Sequence, residues 1–100
     1  MRTKDTITVL KIDAAAIKQF GATSLYMYGS AARDELRPDS DVDLFVDYDR
    51  SEAGTFSLID LIRLQSHLEK VLGRDVDLAT RQGLHPLLRE SIEQSSIRIF

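Results

Sequence analysis

A Gly-Ser pair at residues 29–30, followed after a short spacer by Asp41-Val42-Asp43, constrains this chain more than any other feature. Ser24-Leu25-Tyr26-Met27-Tyr28 is rich in aromatic and apolar residues and stops at Gly29, which is the pattern of a strand running into a turn. Ser30 to Glu35 then reads as a short helix with Ser30 at or near its N-terminus. Arg37-Pro38-Asp39-Ser40 is turn chemistry. Asp41 to Tyr48 reads as a second strand, whose period of two sets Asp41, Asp43, Phe45 and Asp47 on one face. Val42, Leu44, Val46 and Tyr48 form the other face; all are apolar or aromatic, so that face is expected to meet the core.

The flanking segments alternate between helix and strand patterns. Residues 6–20 are expected to contain a first helix, with a short strand over Thr6 to Leu10 as the alternative; Asp13 suits an N-cap for Ala14 to Phe20, and Gly21 a stop. Asp49 to Gly54 is a loop. Thr55 to Leu72 reads as the longest helix, with Leu58, Leu61, Ile62, Leu68 and Leu72 along one stripe. Ser57 and Asp60 have capping-box spacing, and Gly73 is the expected C-terminal stop. Asp60, Arg63, Glu69 and Lys70 cover the other side, so the stripe belongs to a core rather than a membrane. Asp75 to Ala79 is a third strand, with Val76 and Leu78 on one face and Asp75, Asp77 and Ala79 on the other. Pro86 to Gln94 completes the helices, with Leu87, Leu88 and Ile92 expected inward, and Ile97 to Phe100 forms a tail or short strand. Such alternation gives an α/β or α+β sandwich.

Bulk properties narrow the functional classes. The 100 residues suffice for one small domain, so residues 1–100 are expected to form a single one. A net charge of −3 argues against broad nucleic-acid binding, which needs a basic surface to displace counterions, but leaves room for a local basic patch. The absence of cysteine excludes disulfides and thiolate metal sites. No stretch approaches the roughly 20 apolar residues of a membrane span, and the expected location is cytoplasmic. His67 lies in a polar helical stretch and is expected to face solvent; His85 reads as a helix-start residue, and neither has zinc-site spacing.

The central stretch has the residue types a metal-bound triphosphate requires. Gly29 allows phosphate oxygens to approach the backbone. Ser30 offers its hydroxyl and N–H, the helix start adds unpaired N–H groups, and Arg33 one turn on can reach the same phosphates. Asp41 and Asp43 can converge on Mg²⁺, a hard ion that keeps waters and takes phosphate oxygens as further ligands. Asp77 is the candidate third acid if the second and third strands are neighbours; it would then serve a second ion or act as general base. Blander readings exist for each. Asp-x-Asp alone is usually a solvated strand end, Arg33 can pair with Asp34, Glu35 or Asp39, and Asp47 is expected to be solvated. An EF-hand reading of Asp39-x-Asp41-x-Asp43 fails because Leu44 and Arg50 stand where that loop needs Gly and Glu.

At these residues the chain resembles the nucleotidyltransferase superfamily that includes DNA polymerase beta: Gly-Ser, a spacer, Asp-x-Asp, then an acid on a later strand. Within it, the chain is most similar to the minimal nucleotidyltransferases of prokaryotes, the MNT-type antitoxins. Gly29, Ser30, Ala32, Arg33, Asp41 and Asp43 occupy that family's motif, Val76-Asp77-Leu78 matches its third-acid segment, and the similarity is clear over residues 24–80. The resemblance implies a small mixed sheet of three to four strands packed by helices. It also implies transfer of AMP from Mg²⁺-bound ATP, with two ions expected. The implied acceptor is a tyrosine of a HEPN-type ribonuclease toxin, since larger relatives carry an acceptor-binding domain for which this chain has no room. Two alternatives stay open: an antitoxin acting by binding alone, and a small-molecule nucleotidyltransferase whose acceptor site forms at an oligomer interface. One departure stands out. Asp34 occupies a position where many relatives have Gly, and it is expected on the solvent side, paired with Arg37.

Overall fold

Four strands in the order β3-β2-β1-β4 make one mixed sheet in the computed structural model, which describes residues 2–49 and 56–100. Most of the expected Asp49–Gly54 loop, and the expected helix start at Thr55, lie outside the described residues. Along the chain run α1 (Thr3–Ile12), α2 (Ala14–Gln19), β1 (Ala22–Tyr28), α3 (Gly29–Ala32), β2 (Val42–Tyr48) and α4 (Leu58–Leu72). They are followed by β3 (Val76–Thr80), a 3₁₀ turn (Arg81–Gly83), α5 (Arg89–Ser95) and β4 (Ile97–Arg98). Connection length sets strand direction. β1 and β2 are joined through one helical turn and a loop, and they pair antiparallel. β2 and β3 are separated by the crossover helix α4, and they pair parallel.

The inner sheet face is built from alternate residues. Leu25 and Met27 of β1, Val42, Leu44 and Val46 of β2, and Val76 and Leu78 of β3 join Leu10, Ile17, Leu64, Leu68 and Leu72 of the helices in one core. This matches the expected inner face of β2 except at Tyr48, which is only half-buried and stacks on Phe56. Phe45, expected on the acidic face, is fully buried as well, because Tyr26 stacks on it at 4.7 Å and Tyr28 leans on it at 5.8 Å.

Helix starts and stops follow local chemistry. Ser57 and Asp60 form the full capping box of α4, and Gly73 closes it at φ +65°. The stripe that α4 buries is Leu64, Leu68 and Leu72, with Leu61 packed beside it. Leu58 (71% exposed) and Ile62 (57%) are not inward as expected. Ile62 is rotated by about 100° from Leu61, and Leu58 sits on the opening turn. Leu87 and Leu88 are likewise exposed: residues 86–88 form a turn, α5 starts only at Arg89, and Leu84 takes the buried position.

Residues 6–10 are helical, not a strand. Asp13 precedes α2 without capping it through its side chain. Its carboxylate instead meets His67 Nε2 at 2.6 Å, and that ring lies 5.0 Å from Phe20, so His67 is not solvent-facing. The edge strand β3 is guarded from α4. Val76 N–H donates to Glu69 Oε2 at 3.0 Å and Leu78 N–H to Gln65 Oε1 at 3.2 Å, so two outward ladder donors are already used. Among the described residues no helix is long and apolar enough to cross a membrane.

Candidate active site

Sheet register assembles the acids. Tyr28 pairs with Asp43 across β1 and β2, and Asp43 pairs with Asp77 across β2 and β3, so these three residues form one row on the face away from the core. Asp41, two residues before Asp43 and on the same phase, lies exposed at the entrance of β2. The neighbour relation required of Asp77 is therefore present. It depends on α4 returning the chain to the open edge of β2.

The Gly-Ser turn closes the other side. Gly29 adopts φ +68°, and a Cβ there would lie 2.5 Å from Asp43 Oδ2. Only glycine lets this backbone run past the carboxylate. Ser30 is the second residue of the single-turn helix α3, and its carbonyl accepts from Glu35 N–H at 2.8 Å, folding the following residues back. Arg33 is exposed and pairs with Glu35 at 3.1 Å. It does not contact the acids here, yet its charge reaches Asp43.

The electrostatics are those of crowded carboxylates. Asp43 is pushed above the usual carboxylate range, first by burial, then by the charges of Asp77 and Asp41, with Arg33 opposing. Tyr28 is pushed up to about 12 by burial and by Asp43 and Asp77. A cation would relieve the charge crowding that Asp77 and Asp41 impose on Asp43, so the donor chemistry fits Mg²⁺. Among the described residues no three acidic or histidine side chains close into a cage by themselves. An ion here would complete its shell with phosphate oxygens and water.

Asp34 has a different job from the one expected. It sits at φ +58°, a left-handed conformation that glycine adopts freely and aspartate tolerates better than most residues. Its carboxylate accepts from Thr3 N–H at 2.9 Å at the start of α1, and does not pair with Arg37. That hydrogen bond is the main reason its carboxyl is held below the usual range. The carbonyl of Arg37 instead accepts from Arg74, whose guanidinium also donates to the Ser40 carbonyl at 3.0 Å.

Arg81 is the residue that sequence reasoning missed. Its guanidinium grips both Asp47 oxygens at 2.8 Å, reaches Glu93 of α5, and lies over the Tyr26 and Phe45 rings at 4.9 and 5.0 Å. Asp47 is thus engaged rather than solvated. A signal existed: Asp47 and Arg81 are 34 residues apart, the offset that pairs Asp43 with Asp77, and both continue the period of two from those acids.

A glycine-serine turn that abuts a row of carboxylates on a small mixed sheet defines the class of nucleotidyl-transferring enzymes. The chain belongs to the nucleotidyltransferase domain family, which matches residues 10–99. It is 37% identical over 79 residues to MJ0435 of Methanocaldococcus jannaschii, named as a protein adenylyltransferase, covering 79% of this chain and 81% of that one. A solved minimal nucleotidyltransferase superposes with a TM-score of 0.81 at 33% identity, covering 97% of this chain and 95% of that one. The fold is shared also with the MNT antitoxin solved with the tri-AMPylated HEPN toxin of Shewanella oneidensis, at a TM-score of 0.65 and 18% identity over 94% of this chain and 71% of that one.

Proposed function

We propose that this chain is a single-domain protein adenylyltransferase that transfers AMP from ATP to a tyrosyl hydroxyl of a HEPN-type toxin, as the antitoxin of a cytoplasmic toxin–antitoxin pair. The observation that carries the reading is the in-register row of Asp43 and Asp77, with Asp41 beside it and Gly29 packed against Asp43. The names of its relatives support the protein acceptor: one is a protein adenylyltransferase, and another is an antitoxin solved with an AMPylated HEPN toxin.

In this reading Asp41, Asp43 and Asp77 hold Mg²⁺, as two ions, which when bound neutralise phosphate charge and favour departure of pyrophosphate. Gly29 and Ser30 receive the triphosphate through backbone N–H groups and the Ser30 hydroxyl. Arg33 leaves Glu35 for a phosphate; an exposed pair of this kind is worth only about 0–1 kcal/mol, so a charge-assisted hydrogen bond to phosphate outcompetes it. The acceptor oxygen attacks the α-phosphorus while the bond from that phosphorus to the bridging oxygen breaks and pyrophosphate leaves. Asp77, exposed at the end of the row, takes the hydroxyl proton.

Incubation with labelled ATP and the toxin tests this. Label is expected on a toxin tyrosine with the wild type and is lost by at least about a hundredfold with Asp43→Asn. Equal labelling by Asp43→Asn would sink the catalytic assignment. Full neutralisation in cells by Asp41→Ala/Asp43→Ala would show that binding alone suffices.

A further inference from the structure

A second concave site lies at the other end of α3, away from the acids. Gly29, at the start of that helix, meets Asp43; Ala32, at its end, lines an open surface hollow of about 400 Å³ beside the first turns of α1. Arg2, Lys4 and Arg33 stand on its wall, with Ile7 and Ala32 supplying apolar surface. Of the residues assigned to the triphosphate only Arg33 also lines it; Gly29, Ser30, Asp41, Asp43 and Asp77 do not.

Three features make this cavity more than a dent. Its charge opposes that of the whole chain: net charge is −3, yet three cations face one acid here. That acid, Asp34, accepts from the Thr3 N–H and keeps its charge, which Arg2 also stabilises. Arg2 and Lys4 form no ion pair among the described residues, and Arg33 has only its exposed contact with Glu35. Like charges gathered around a hollow repel one another, and an anion removes that cost. The volume falls within the range of small-ligand pockets, roughly 300–1,000 Å³. Cations beside an apolar wall suit a phosphate joined to a nucleoside, with the guanidinium forks on the phosphate and the nucleoside against Ile7 and Ala32.

We propose that the cavity formed by Arg2, Lys4, Ile7 and Ala32, with Arg33 shared with the neighbouring triphosphate turn, binds a nucleoside monophosphate group. This deepens the adenylyl-transfer reading and rests on it for biological meaning. The group can be free AMP or an AMP already attached to an acceptor tyrosine. Arg33 lines the cavity and its charge is felt at Asp43, so occupancy here would also be sensed at the acids.

The test uses the full chain in EDTA, so that a metal-dependent triphosphate site does not contribute. AMP and, in a second arm, a peptide bearing adenylylated tyrosine are titrated while backbone amide resonances are followed. Amides of residues 3–7 and 32–34 are expected to shift with both probes if the group is recognised irrespective of source. A response to the peptide alone assigns the site to the modified acceptor; a response to AMP alone assigns it to free nucleotide. Arg2→Ala/Lys4→Ala should weaken binding on the order of tenfold or more with an unchanged melting temperature, and Asp43→Asn should leave it intact. Absence of shifts at these amides with either probe, or wild-type affinity in Arg2→Ala/Lys4→Ala, overturns the proposal. Because no transfer is measured, failure here leaves adenylyl transfer standing. Loss of transfer with this binding intact would strike only the function proposed above.

Discussion

Two glycines with nearly the same backbone angle separate a conformational effect from a functional one. Gly29 (φ +68°) and Gly73 (φ +65°) both sit in the left-handed region, where an L-residue costs about 1–2 kcal/mol. A Cβ on Gly73 meets nothing within 4 Å. Gly73→Ala should therefore lose about 1 kcal/mol, partly because alanine also restricts the unfolded chain and so offsets some of the strain. For a domain of this size that lowers the melting temperature by roughly 4–8 °C. A Cβ on Gly29 lies 2.5 Å from Asp43 Oδ2 and 3.4 Å from its Cγ, so the carboxylate must retreat by about 1 Å to regain ordinary contact. The clashing oxygen is the far end of a side chain and can turn away, so Gly29→Ala should lose about 1–2 kcal/mol, mostly from the backbone angle. A displacement near 1 Å at a reacting centre can cost about a hundredfold in rate. Thermal melts by circular dichroism and labelled-AMP transfer at a temperature where both variants are folded give the two readouts. Transfer should be near wild type in Gly73→Ala and lower by about a hundredfold in Gly29→Ala. Equal loss in both variants, or full activity in Gly29→Ala, would refute the claim that Gly29 is fixed by its approach to Asp43.

Other expectations follow from single contacts. Asp34 has a depressed folded-state carboxyl, so its contribution is present above the unfolded carboxylate value of about 4 and lost as pH falls through the folded value. Asp34→Asn should flatten the fall in melting temperature between neutral pH and about pH 3 relative to the wild type, and an unchanged profile would discard a stabilising role for the Asp34–Thr3 hydrogen bond. Arg81→Ala removes the grip on Asp47 and Glu93 and should cost about 2 kcal/mol; Arg81→Lys should recover only part of this by denaturant unfolding, because an ammonium cannot form the fork. Gln65→Ala/Glu69→Ala frees the Leu78 and Val76 amides at the sheet edge. Their hydrogen exchange should accelerate well beyond that of the β1–β2 amides, and retained protection would show that the edge is guarded otherwise.

The periodic parts of the fold were legible because their causes are local. The strand before Gly29, the alternation through β2, the capping box at Ser57 and the stop at Gly73 each depend on neighbours a few residues away. The inward faces of α4's opening turns and of the segment before α5 were not legible. Leu58, Ile62, Leu87 and Leu88 are apolar and suitably spaced, but whether such a residue is covered depends on where its element lies against the sheet. The partners of Asp34, His67 and Asp47 were not legible for the same reason: Thr3, Asp13 and Arg81 lie 31, 54 and 34 residues away, and although Asp34 is exposed as expected, it meets Thr3 rather than Arg37.

The sequence by itself determined the candidate chemistry: a glycine turn, a serine directly after it, and acids phased to one strand face. It also supplied Asp77 as a third acid on a compatible face. Only tertiary structure decided that the acids meet. α4 carries the chain back so that β3 pairs parallel with β2 and Asp77 falls beside Asp43. That register is a long-range choice, made by burying Val76 and Leu78 with Val42 and Leu44 in one core. The cavity beside Arg33 has the same origin, because it exists only where α1 closes against the end of α3.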